Sequence, residues 1–600
     1  MCGTLSPRSS TSIQSFNMTS VRSYRWKLAE ADSSPDHLAI VKKLSDELTV
    51  SPVLADILVR RGIDSFEKSR SFFRPEIADL HDPFLMSGMD KAVERISRAI
   101  RSNEKILVYG DYDVDGTNGT TILWTFLKSI GADVSYFIPD RQKEGYGLSL
   151  AGLERAKEFH PSLIVTVDCG ITAGTQIAAA TAARIDVVVC DHHEPGHGAP
   201  AAVAILDPIQ EHCTYPYKSL CGAGVAFKLV QALATVDEFR AKLEHTEGDP
   251  LRKYLQYVAL ATTADIVPLT GENRTIVKIG FELLNTEPVP GIQALIDIAG
   301  MHAGRISSGQ AVFVLAPRIN AVGRLGDARR AVELLACDSY GSALEFARVL
   351  EHENSERRKI DEVTFTQAQE IVDNHLAADD TTIVLHKDEW HPGVIGIVAS
   401  RLVERYYRPT IMMTTVDGVV KGSARSVSGF NIYEALKRVE DKLIQFGGHK
   451  YAAGLTVALD RVEEFRDAFQ KSADEVLTEE ILTPEIRIDA EIPLSEISPK
   501  FIRVLGQFAP FGPENMRPVF AVRDVAVVGS PRIVGKNHLK FKVRKGNHVI
   551  DAIGFNLGKH IDLVRTASKG IDLAFSLDEN EYQGEVVPQL KIRDIKQREA

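Results

Sequence analysis

Along the chain, continuous apolar runs typical of buried strands alternate with patterns typical of helices, as in a sheet covered by helices. From residue 105 the apolar run KILVYG precedes the polar turn DYDVDG and a helical pattern at 117–130. Further Val- and Ile-rich runs follow at 133–139, 162–170, 186–193 and 202–208, with an Ala-rich helix predicted at 173–183. Continuous β-branched strands between helices indicate a parallel sheet buried on both faces, so the predicted fold class is α/β.

Two further folded units are predicted after this sheet. Residues 344–375 are charged, contain no Pro or Gly and predict a long connecting helix, and a second α/β unit begins with TTIVLH at 381–386. Short β-like runs from about residue 486 predict an OB-like barrel. The predicted domains are an N-terminal extension (1–50), the parallel-sheet domain (51–330), a helical connector (331–378), the second α/β domain (379–480) and the barrel (481–600).

Composition narrows the class of protein. The chain has 600 residues, of which 44% are hydrophobic and 25% charged, and this excludes collagen, coiled coil and disorder. No apolar run reaches the roughly 18 residues of a membrane span, so we expect a soluble protein that does not cross a membrane. Six cysteines without a CxxC pair indicate neither a zinc site nor a disulfide framework, which favours a reducing cytoplasm. The Ser-rich, acid-poor first 29 residues leave an organellar targeting segment open as a minor alternative.

Charge is distributed unevenly. The net charge is −11, yet residues 501–600 hold 16 Lys and Arg against 11 Asp and Glu, and residues 517–545 hold eight basic residues and one acid. The last hundred residues combine these cations with Phe508, Phe511, Phe520 and Phe541, and some of these rings must fill the barrel core. Basic residues beside aromatic ones suit single-stranded DNA.

The densest chemical signal is the turn DYDVDG. Asp111, Asp113 and Asp115 follow an apparent strand directly, and three carboxylates this close repel one another unless cations hold them. An Asp-rich surface loop is the plain alternative. An EF-hand is excluded because no Gly-x5-Glu continuation follows.

More candidate ligands follow other apolar runs. Asp168 ends LIVTVD, Asp191, His192 and His193 end VVVCDHH, and Asp265 follows YVALATTA. Each alone is more often a helix cap or a solvated strand end, but ligands meet at the carboxyl edge of a parallel sheet. Carboxylates with imidazole suit Mn²⁺ or Mg²⁺, and their number implies two cations.

The order GDYDVDG, VDCG, DHH, TTADIVPL resembles the motif series of the DHH phosphoesterase superfamily, and the DYDVDG form resembles its RecJ branch of 5′→3′ exonucleases specific for single-stranded DNA. The resemblance continues in PRINAVGR, HPGVIGIVASRL, KGSARS, FGGHKYAAG and FGPENMRPVF and covers the chain from about residue 50. It implies a DHH domain, a DHH-associated domain and an OB-like barrel.

The resemblance also implies roles for particular residues. Two divalent cations are expected among Asp111, Asp113, Asp115, Asp168, His192 and Asp265, with Asp168 as the bridge. Other superfamily members carry a His where this chain has Tyr109, so direct or water-mediated binding by Asp111 stays open. The catalytic candidates are Asp168, His192 and His193; His193 either orients His192 or contacts the scissile phosphate.

Metal-assisted hydrolysis with water as nucleophile is the predicted chemistry, since no Ser or Cys sits in a nucleophile motif. The DNA strand needs cationic groups, and the resemblance points to Arg141, Ser423 and Arg425 for a 5′-phosphate pocket, and to Arg318, Asn320 and Arg324. It also points to the turn formed by Gly447, Gly448 and His449. His391 is either a cap or a substrate contact.

Two alternatives stay open. One is a DHH-family phosphodiesterase for cyclic dinucleotides or short oligonucleotides, which the basic barrel disfavours; a manganese pyrophosphatase would lack PRINAVGR, GSARS and the barrel. The other is a catalytically silent DNA-binding scaffold, which the intact acids disfavour. Family expectations are single-stranded DNA as substrate, a helicase and a single-stranded-DNA-binding protein as partners, a monomer, and a role in bacterial DNA recombination and repair.

Overall fold

The structure is a computed structural model that describes residues 24–30, 32–141, 143–145, 147–196, 198–244, 248–375, 380–567, 570–582 and 585–597. The first 23 residues, to which the targeting alternative refers, lie outside this set. In the described ranges no helix is both long and apolar enough to cross a membrane.

The first sheet consists of five parallel strands in the order β3-β2-β4-β5-β6. Alternate side chains of β2 enter opposite cores: Ile106 and Val108 pack on one face, Leu107 and Tyr109 on the other. Burial on both faces is why these strands read as continuous apolar runs, and the predicted parallel sheet is confirmed. Its elements are α4 (Met89–Arg101), β2 (Ile106–Gly110), α5 (Val114–Ser129), β3 (Val134–Phe137), α6 (Leu150–Lys157), β4 (Leu163–Val167), α7 (Gly174–Ala182), β5 (Asp186–Cys190) and β6 (Ala204–Leu206).

A helical layer completes this domain. It covers the sheet face that holds Val108 and Val165 and includes one π-helical turn, Ala311–Leu315. The helices are α8 (Gly222–Ala234), α9 (Asp237–Leu243), α10 (Tyr254–Ala264), α11 (Gly271–Thr286), α12 (Pro290–Ile298), α13 (Ser308–Gln310), α14 (Ala316–Leu325) and α15 (Arg329–Leu335).

The predicted connector is a 36-residue helix, α16 (Tyr340–His375). The second domain has a mixed sheet in the order β10-β11-β9-β8-β7, in which only β7 and β8 are parallel. Its elements are β7 (Ile383–His386), α17 (Ile395–Tyr406), β8 (Thr410–Val416), β9 (Val419–Arg425), α18 (Ile432–Lys437), β10 (Gln445–His449), β11 (Ala452–Ala458) and α19 (Val462–Asp474).

The C-terminal domain is a closed barrel. Strands follow the order β14-β15-β16-β18-β17, and β14 also pairs with β17, which closes the ring. The predicted OB-like barrel is confirmed. Its elements are β12 (Glu485–Ile488), β13 (Ala490–Glu491), α20 (Pro499–Gly506), β14 (Phe520–Val534), β15 (His538–Lys545), β16 (His548–Gly554), α21 (Ile561–Thr566), β17 (Ile571–Tyr582) and β18 (Glu585–Gln597).

The N-terminal segment packs on the barrel. Strand β1 (Arg25–Leu28) pairs in parallel with β12, and helices α1 (Pro35–Leu48), α2 (Pro52–Arg60) and α3 (Phe66–Phe73) share one apolar core with the barrel strands. Residues 52–73 therefore contact the C-terminal domain, although the sequence places them in the parallel-sheet domain. Sequence patterns show local periodicity, but they do not show which distant part of the chain a helix packs against.

The barrel phenylalanines divide between core and surface. Phe508, Phe520 and Phe541 are buried, so these three are the rings that fill the core. Phe511 is half-buried, with the Arg517 guanidinium 4.5 Å from its ring centroid. An aromatic ring that the sequence did not single out, Phe555, is 51% exposed and lies beside His538.

Candidate active site

Acids and imidazoles meet at the carboxyl edge of the first sheet. Asp111 follows β2, Asp168 follows β4 and the DHH triplet follows β5, and these three strands are adjacent in the sheet. Ligand atoms of Asp111, Asp113 and Asp168 lie within 4.8 Å of one another, and so do those of Asp115, His192 and Asp265. The structure thus brings together all six residues predicted to surround cations.

Two of these acids belong to the start of α5. Asp113 is its N-cap, and its Oδ1 accepts hydrogen bonds from the N–H groups of Asp115 (2.9 Å) and Gly116 (3.1 Å). Asp113 therefore both caps α5 and belongs to the acid cluster. Asp113 keeps its second oxygen for another partner.

Asp115 is held by the N-terminus of a second helix. Its two oxygens accept hydrogen bonds from the N–H groups of Gly222 (2.6 Å) and Ala223 (2.8 Å) at the start of α8. A Cβ on Gly222 would lie only 2.6 Å from Asp168 Cβ, so glycine is needed for this approach. The helix start stabilises the carboxylate through its N–H groups and its dipole.

His192 lies at the centre of the cluster. Its Nε2 is 3.1 Å from Asp168 Oδ1, 3.6 Å from Asp115 Oδ2 and 3.7 Å from Asp265 Oδ2. Asp265 comes from the C-terminal end of α10, so it reaches the cluster from a helix, not from a strand end as its sequence context suggested. Burial lowers the pKa of His192, which favours the neutral imidazole that binds metals.

His193 faces a different partner. Its Nδ1 lies 2.7 Å from Asp191 Oδ1, and Asp191 also accepts hydrogen bonds from the N–H groups of Ile171, His192 and His193. Burial opposes the charge, but the hydrogen bond to Asp191 raises the pKa of His193 to about 9. Asp191 therefore favours the protonated form of His193.

Negative charge accumulates in the acid cluster. Burial, followed by repulsion between neighbouring carboxylates, raises the pKa of Asp111, Asp113, Asp168 and Asp265 above the usual range of an aspartate. Carboxylates that repel in this way can all ionise only when cations lie among them.

Three of the predicted arginines form a second cluster between the two α/β domains. The Arg141 guanidinium lies 5.4 Å from the Tyr112 ring centroid, and Arg324 donates to the Gly393 carbonyl (3.0 Å). Burial, and then the charges of Arg141 and Arg425, lower the pKa of Arg324 to about 10. Among the described residues no carboxylate lies within ion-pair distance of these three guanidinium groups.

Ser423 and Arg425 share β9. The Ser423 hydroxyl oxygen accepts a hydrogen bond from Arg425 Nη1 (2.9 Å). A Cβ on Gly396, at the start of α17, would lie 2.8 Å from Ser423 Oγ and 2.9 Å from Arg425 Nη2. The start of a helix therefore closes one side of this cationic pocket, which is defined by Arg141, Arg324, Ser423 and Arg425.

Other predicted contacts lie elsewhere. Arg318 is buried and forms an ion pair with Glu351 of α16 (2.5 Å), so its charge already has a partner. Asn320 Oδ1 accepts a hydrogen bond from Val114 N–H (3.1 Å) and supports the start of α5. His391 Nδ1 accepts a hydrogen bond from Gly393 N–H (3.0 Å) in the turn before α17, whose N-cap is Val394.

The glycine-histidine turn lies at the edge of the second sheet. Gly447, Gly448 and His449 belong to β10, which pairs only with β11, and all three are exposed. Within the described ranges no hydrogen bond or ion pair links them to the acid cluster. Their predicted role in holding substrate stays a prediction.

Comparison with known proteins follows the same three domains. Residues 105–262 match the model of the DHH family N-terminal domain, residues 379–475 that of the DHHA1 domain, and residues 488–594 that of the RecJ OB domain. The single-stranded-DNA-specific exonuclease RecJ of Bacillus subtilis is 39% identical over 574 residues, covering 95% of this chain and 70% of the relative. The chain belongs to the RecJ family. The RecJ of Escherichia coli is 35% identical over 85% of this chain and 90% of its own.

Solved RecJ structures share the architecture. RecJ from Thermus thermophilus in complex with Mn²⁺ superimposes with a TM-score of 0.81 at 29% identity, covering 96% of this chain and 80% of the other. The same protein has also been solved with Mg²⁺, with a TM-score of 0.74 at 27% identity over 96% and 79% of the two chains.

The acid cluster of this RecJ-family chain fits divalent cations. Within the described part of the chain, Asp111 Oδ1, Asp168 Oδ1 and His192 Nε2 are buried without a hydrogen-bond partner. Buried polar atoms are rarely left unpaired, and three at one place indicate missing positive partners. Asp168 belongs to two of the ligand groups, as a bridging residue would.

Two contributors were missed by the sequence reasoning: the CGAG start of α8 supports Asp115, and Arg357 of α16 adds its charge to the cationic pocket. Asp191, which the sequence placed among the strand-end candidates without a separate role, supports His193. Glycines at the start of a helix could have indicated the first. Nothing in the sequence of the connecting helix distinguishes Arg357 from its charged neighbours.

Proposed function

We propose that this chain is a metal-dependent exonuclease that degrades single-stranded DNA from its 5′ end to mononucleotides, in DNA recombination and repair. The observation that carries the proposal is the largely buried cluster of five aspartates and His192, beside a pocket of arginines that form no ion pair with any described carboxylate. The first group suits cations and the second suits the phosphates of a DNA strand.

The residues that would hold two cations are Asp111, Asp113, Asp115, Asp168, His192 and Asp265. Bound Mn²⁺ or Mg²⁺ would supply Lewis-acid activation of water and of the phosphodiester. The chain itself supplies fixed ligand positions: α8 holds Asp115, and burial keeps His192 neutral with a lone pair available. Water serves as nucleophile, since the buried cysteines have raised pKa values that disfavour thiolates.

His193 acts on the phosphate. Asp191 keeps its ring protonated and oriented, and its Nδ1 is 3.9 Å from Asp168 Oδ1, so the charged ring adjoins the cation ligands. From there it can donate a hydrogen bond to a phosphate oxygen whose negative charge increases in the transition state.

The cationic pocket sets the polarity. Its guanidinium groups and the Ser423 hydroxyl match the several oxygens of a terminal phosphate, and a 5′-phosphate bound there would present the next phosphodiester to the acid cluster. Arg318 is not part of this pocket because Glu351 neutralises it.

The barrel supplies a further surface for binding the DNA strand. Strand β15 directs Leu539, Phe541 and Val543 into the core. Its alternate residues His538, Lys540, Lys542 and Arg544 face outward, and the pairing register places Arg532 beside Lys540. A basic sheet face of this kind suits the backbone of a single strand.

The test is digestion of single-stranded DNA labelled separately at each end. We expect mononucleotides from the 5′ end in the presence of Mn²⁺ and none with chelator or with Asp168→Ala. Release from the 3′ end would overturn the polarity. Hydrolysis of a cyclic dinucleotide alone would favour the small phosphodiesterase, and no hydrolysis under any condition would favour the silent scaffold.

The pocket has its own test. Arg425→Ala should remove the preference for 5′-phosphorylated over 5′-hydroxyl DNA, whereas Arg329→Ala, which removes an exposed guanidinium paired with Asp327, should retain it. If both variants keep the preference, the 5′-phosphate lies elsewhere.

We also propose that the protein acts as a monomer in a bacterial cytoplasm, with a helicase and a single-stranded-DNA-binding protein as partners. Light scattering after gel filtration tests the first point. Stimulation of digestion by a helicase on duplex DNA tests the second.

A further inference from the structure

The three most exposed large apolar side chains of the described residues are Phe313, Met516 and Ile266, with 79%, 65% and 63% of their surface exposed. They come from three separate segments of the chain. Isolated exposed apolar residues are ordinary, but a group of them indicates a contact surface.

One loop joins the three segments. Leu269, three residues after Ile266, donates its N–H to the Pro513 carbonyl (2.9 Å), and the Ser308 hydroxyl, before Phe313, donates to the Phe511 carbonyl (2.7 Å). Both acceptors belong to the loop 511–516, which ends in Met516. The Arg61 guanidinium donates to the Met516 carbonyl (2.7 Å) and holds the end of this loop.

The same place adjoins the acid cluster. Ile266 follows Asp265 directly, and the π-helical turn that carries Phe313 packs against α10, the helix that ends at Asp265. On the other side, the loop 511–516 leads into β14 of the barrel. The three side chains therefore lie where the barrel meets the cation site.

Two of these side chains come from unusual backbone conformations. Ile266 has a φ of +61°, a left-handed conformation that a β-branched residue rarely adopts. Because the Ile266 side chain is 63% exposed, its burial does not explain why isoleucine and not glycine occupies this left-handed position. Phe313 lies in a single π-helical turn, a local change of register that is frequent at functional sites.

We propose that Ile266, Phe313 and Met516 form an apolar rim on which unpaired nucleobases of the DNA strand stack, on the 3′ side of the scissile phosphate. The inference rests on the proposed function. Nucleobases are the favoured occupant because the rim connects a basic barrel face to a phosphate-processing site, and a strand that spans the two has to place its bases along this junction. Stacking accepts every base, as an exonuclease without sequence preference requires.

The test combines a protein change with a substrate change. Short 5′-phosphorylated oligonucleotides carry one abasic site at successive positions from the 5′ end, and release of the first mononucleotide is measured with enzyme in excess, so that binding and cleavage rate separate. With intact DNA we expect Phe313→Ala to weaken binding about 5- to 50-fold. The cleavage rate at saturation should change little.

The decisive result is non-additivity. At one or more positions an abasic site should weaken binding by the wild type as much as Phe313→Ala does, and should weaken the variant no further. Phe313→Trp should retain the wild-type response, which separates stacking from folding. Phe66→Ala, which removes a ring 50% exposed on α3, should behave as the wild type.

Other outcomes overturn the proposal. Additive losses at every position would show that Phe313 acts through the fold, and unchanged binding by Phe313→Ala would leave the rim to a protein partner. If either of these results is found while the wild type digests single-stranded DNA, the proposed function stands and only the rim proposal fails. If it digests none, both fail together.

Discussion

At the scale of a single residue, Asp168 combines an unusual backbone with an unusual charge. Its φ is +62°, a conformation that Asn also tolerates, and one carboxylate oxygen is buried without a hydrogen bond. Burial, and then repulsion from Asp115, raises its pKa. The metal-free fold therefore loses stability as pH rises and this carboxyl ionises.

Asp168→Asn should lower the rate of DNA hydrolysis by about 10³-fold or more, because it removes the charge that two cations would share. Without metal the variant should melt at a higher temperature than the wild type at pH 8, and it should gain less from Mn²⁺. Calorimetry with and without Mn²⁺ checks both points. If Asp168→Asn melted at a lower temperature than the wild type in chelator, the carboxylates of the cluster would not be repelling one another as inferred.

Asp207 permits a separate test of pH dependence. It is fully buried after β6, its Oδ1 accepts from Ile209 N–H, and burial raises its pKa to about 7. Because the folded pKa lies above the unfolded value, this group destabilises the protein as pH rises from about 4 through 7. Asp207→Asn should therefore stabilise the protein by about 2–3 kcal/mol more at pH 8 than at pH 5. Urea unfolding at both values measures the difference; an equal effect at both would exclude ionisation as the cause.

At the scale of an element, the N-terminus of α8 acts as a holder of Asp115. Gly222→Ala would place a Cβ 2.6 Å from Asp168 Cβ, whereas a Cβ on Gly224 would meet nothing closer than 3.4 Å. We expect Gly222→Ala to weaken Mn²⁺ binding about 10-fold or more, since groups that orient ligands typically matter by that factor. Gly224→Ala is the matched control in the same helix. Titration calorimetry measures the Mn²⁺ affinity of both variants. Equal affinities would show that the start of α8 can shift without weakening the cation site.

At the scale of the whole molecule, Arg274 joins three parts of the chain. From α11 it donates to the carbonyls of Phe72 (3.0 Å) and Phe508 (2.9 Å), and its guanidinium lies 3.5 Å from the Phe72 ring centroid. No carboxylate within the described ranges pairs with it. Burial lowers its pKa to about 9, and the charge is stabilised by carbonyl oxygens and by the face of the Phe72 ring.

Arg274→Ala should destabilise the protein by about 3–5 kcal/mol, because it leaves buried carbonyls without donors. It should also separate the unfolding of the barrel from that of the first domain. Differential scanning calorimetry would show a second transition. A single transition at an unchanged temperature would show that Arg274 does not couple the domains.

Prediction from sequence succeeded where the signal is local. The strands β2, β4 and β5, the connector α16 and the order of the three domains follow from periodicity, because each run of side chains has to match its own burial. The acids were identified for a similar reason: carboxylates directly after buried strands have few structural uses. The ion pair of Arg318 could not be predicted in this way, since its partner Glu351 is distant in sequence.

The sequence by itself therefore determined the α/β class, the barrel, the set of acids and imidazoles, and membership of the RecJ family. Only the tertiary structure decided which arginines of the site form no ion pair with a described carboxylate, that Asp265 arrives from a helix, that the N-terminal helices belong to the barrel core, and that Ile266, Phe313 and Met516 lie at one junction. The physical reason is that burial and charge pairing depend on contacts between distant segments, whereas periodicity and strand-end chemistry are written within a few consecutive residues.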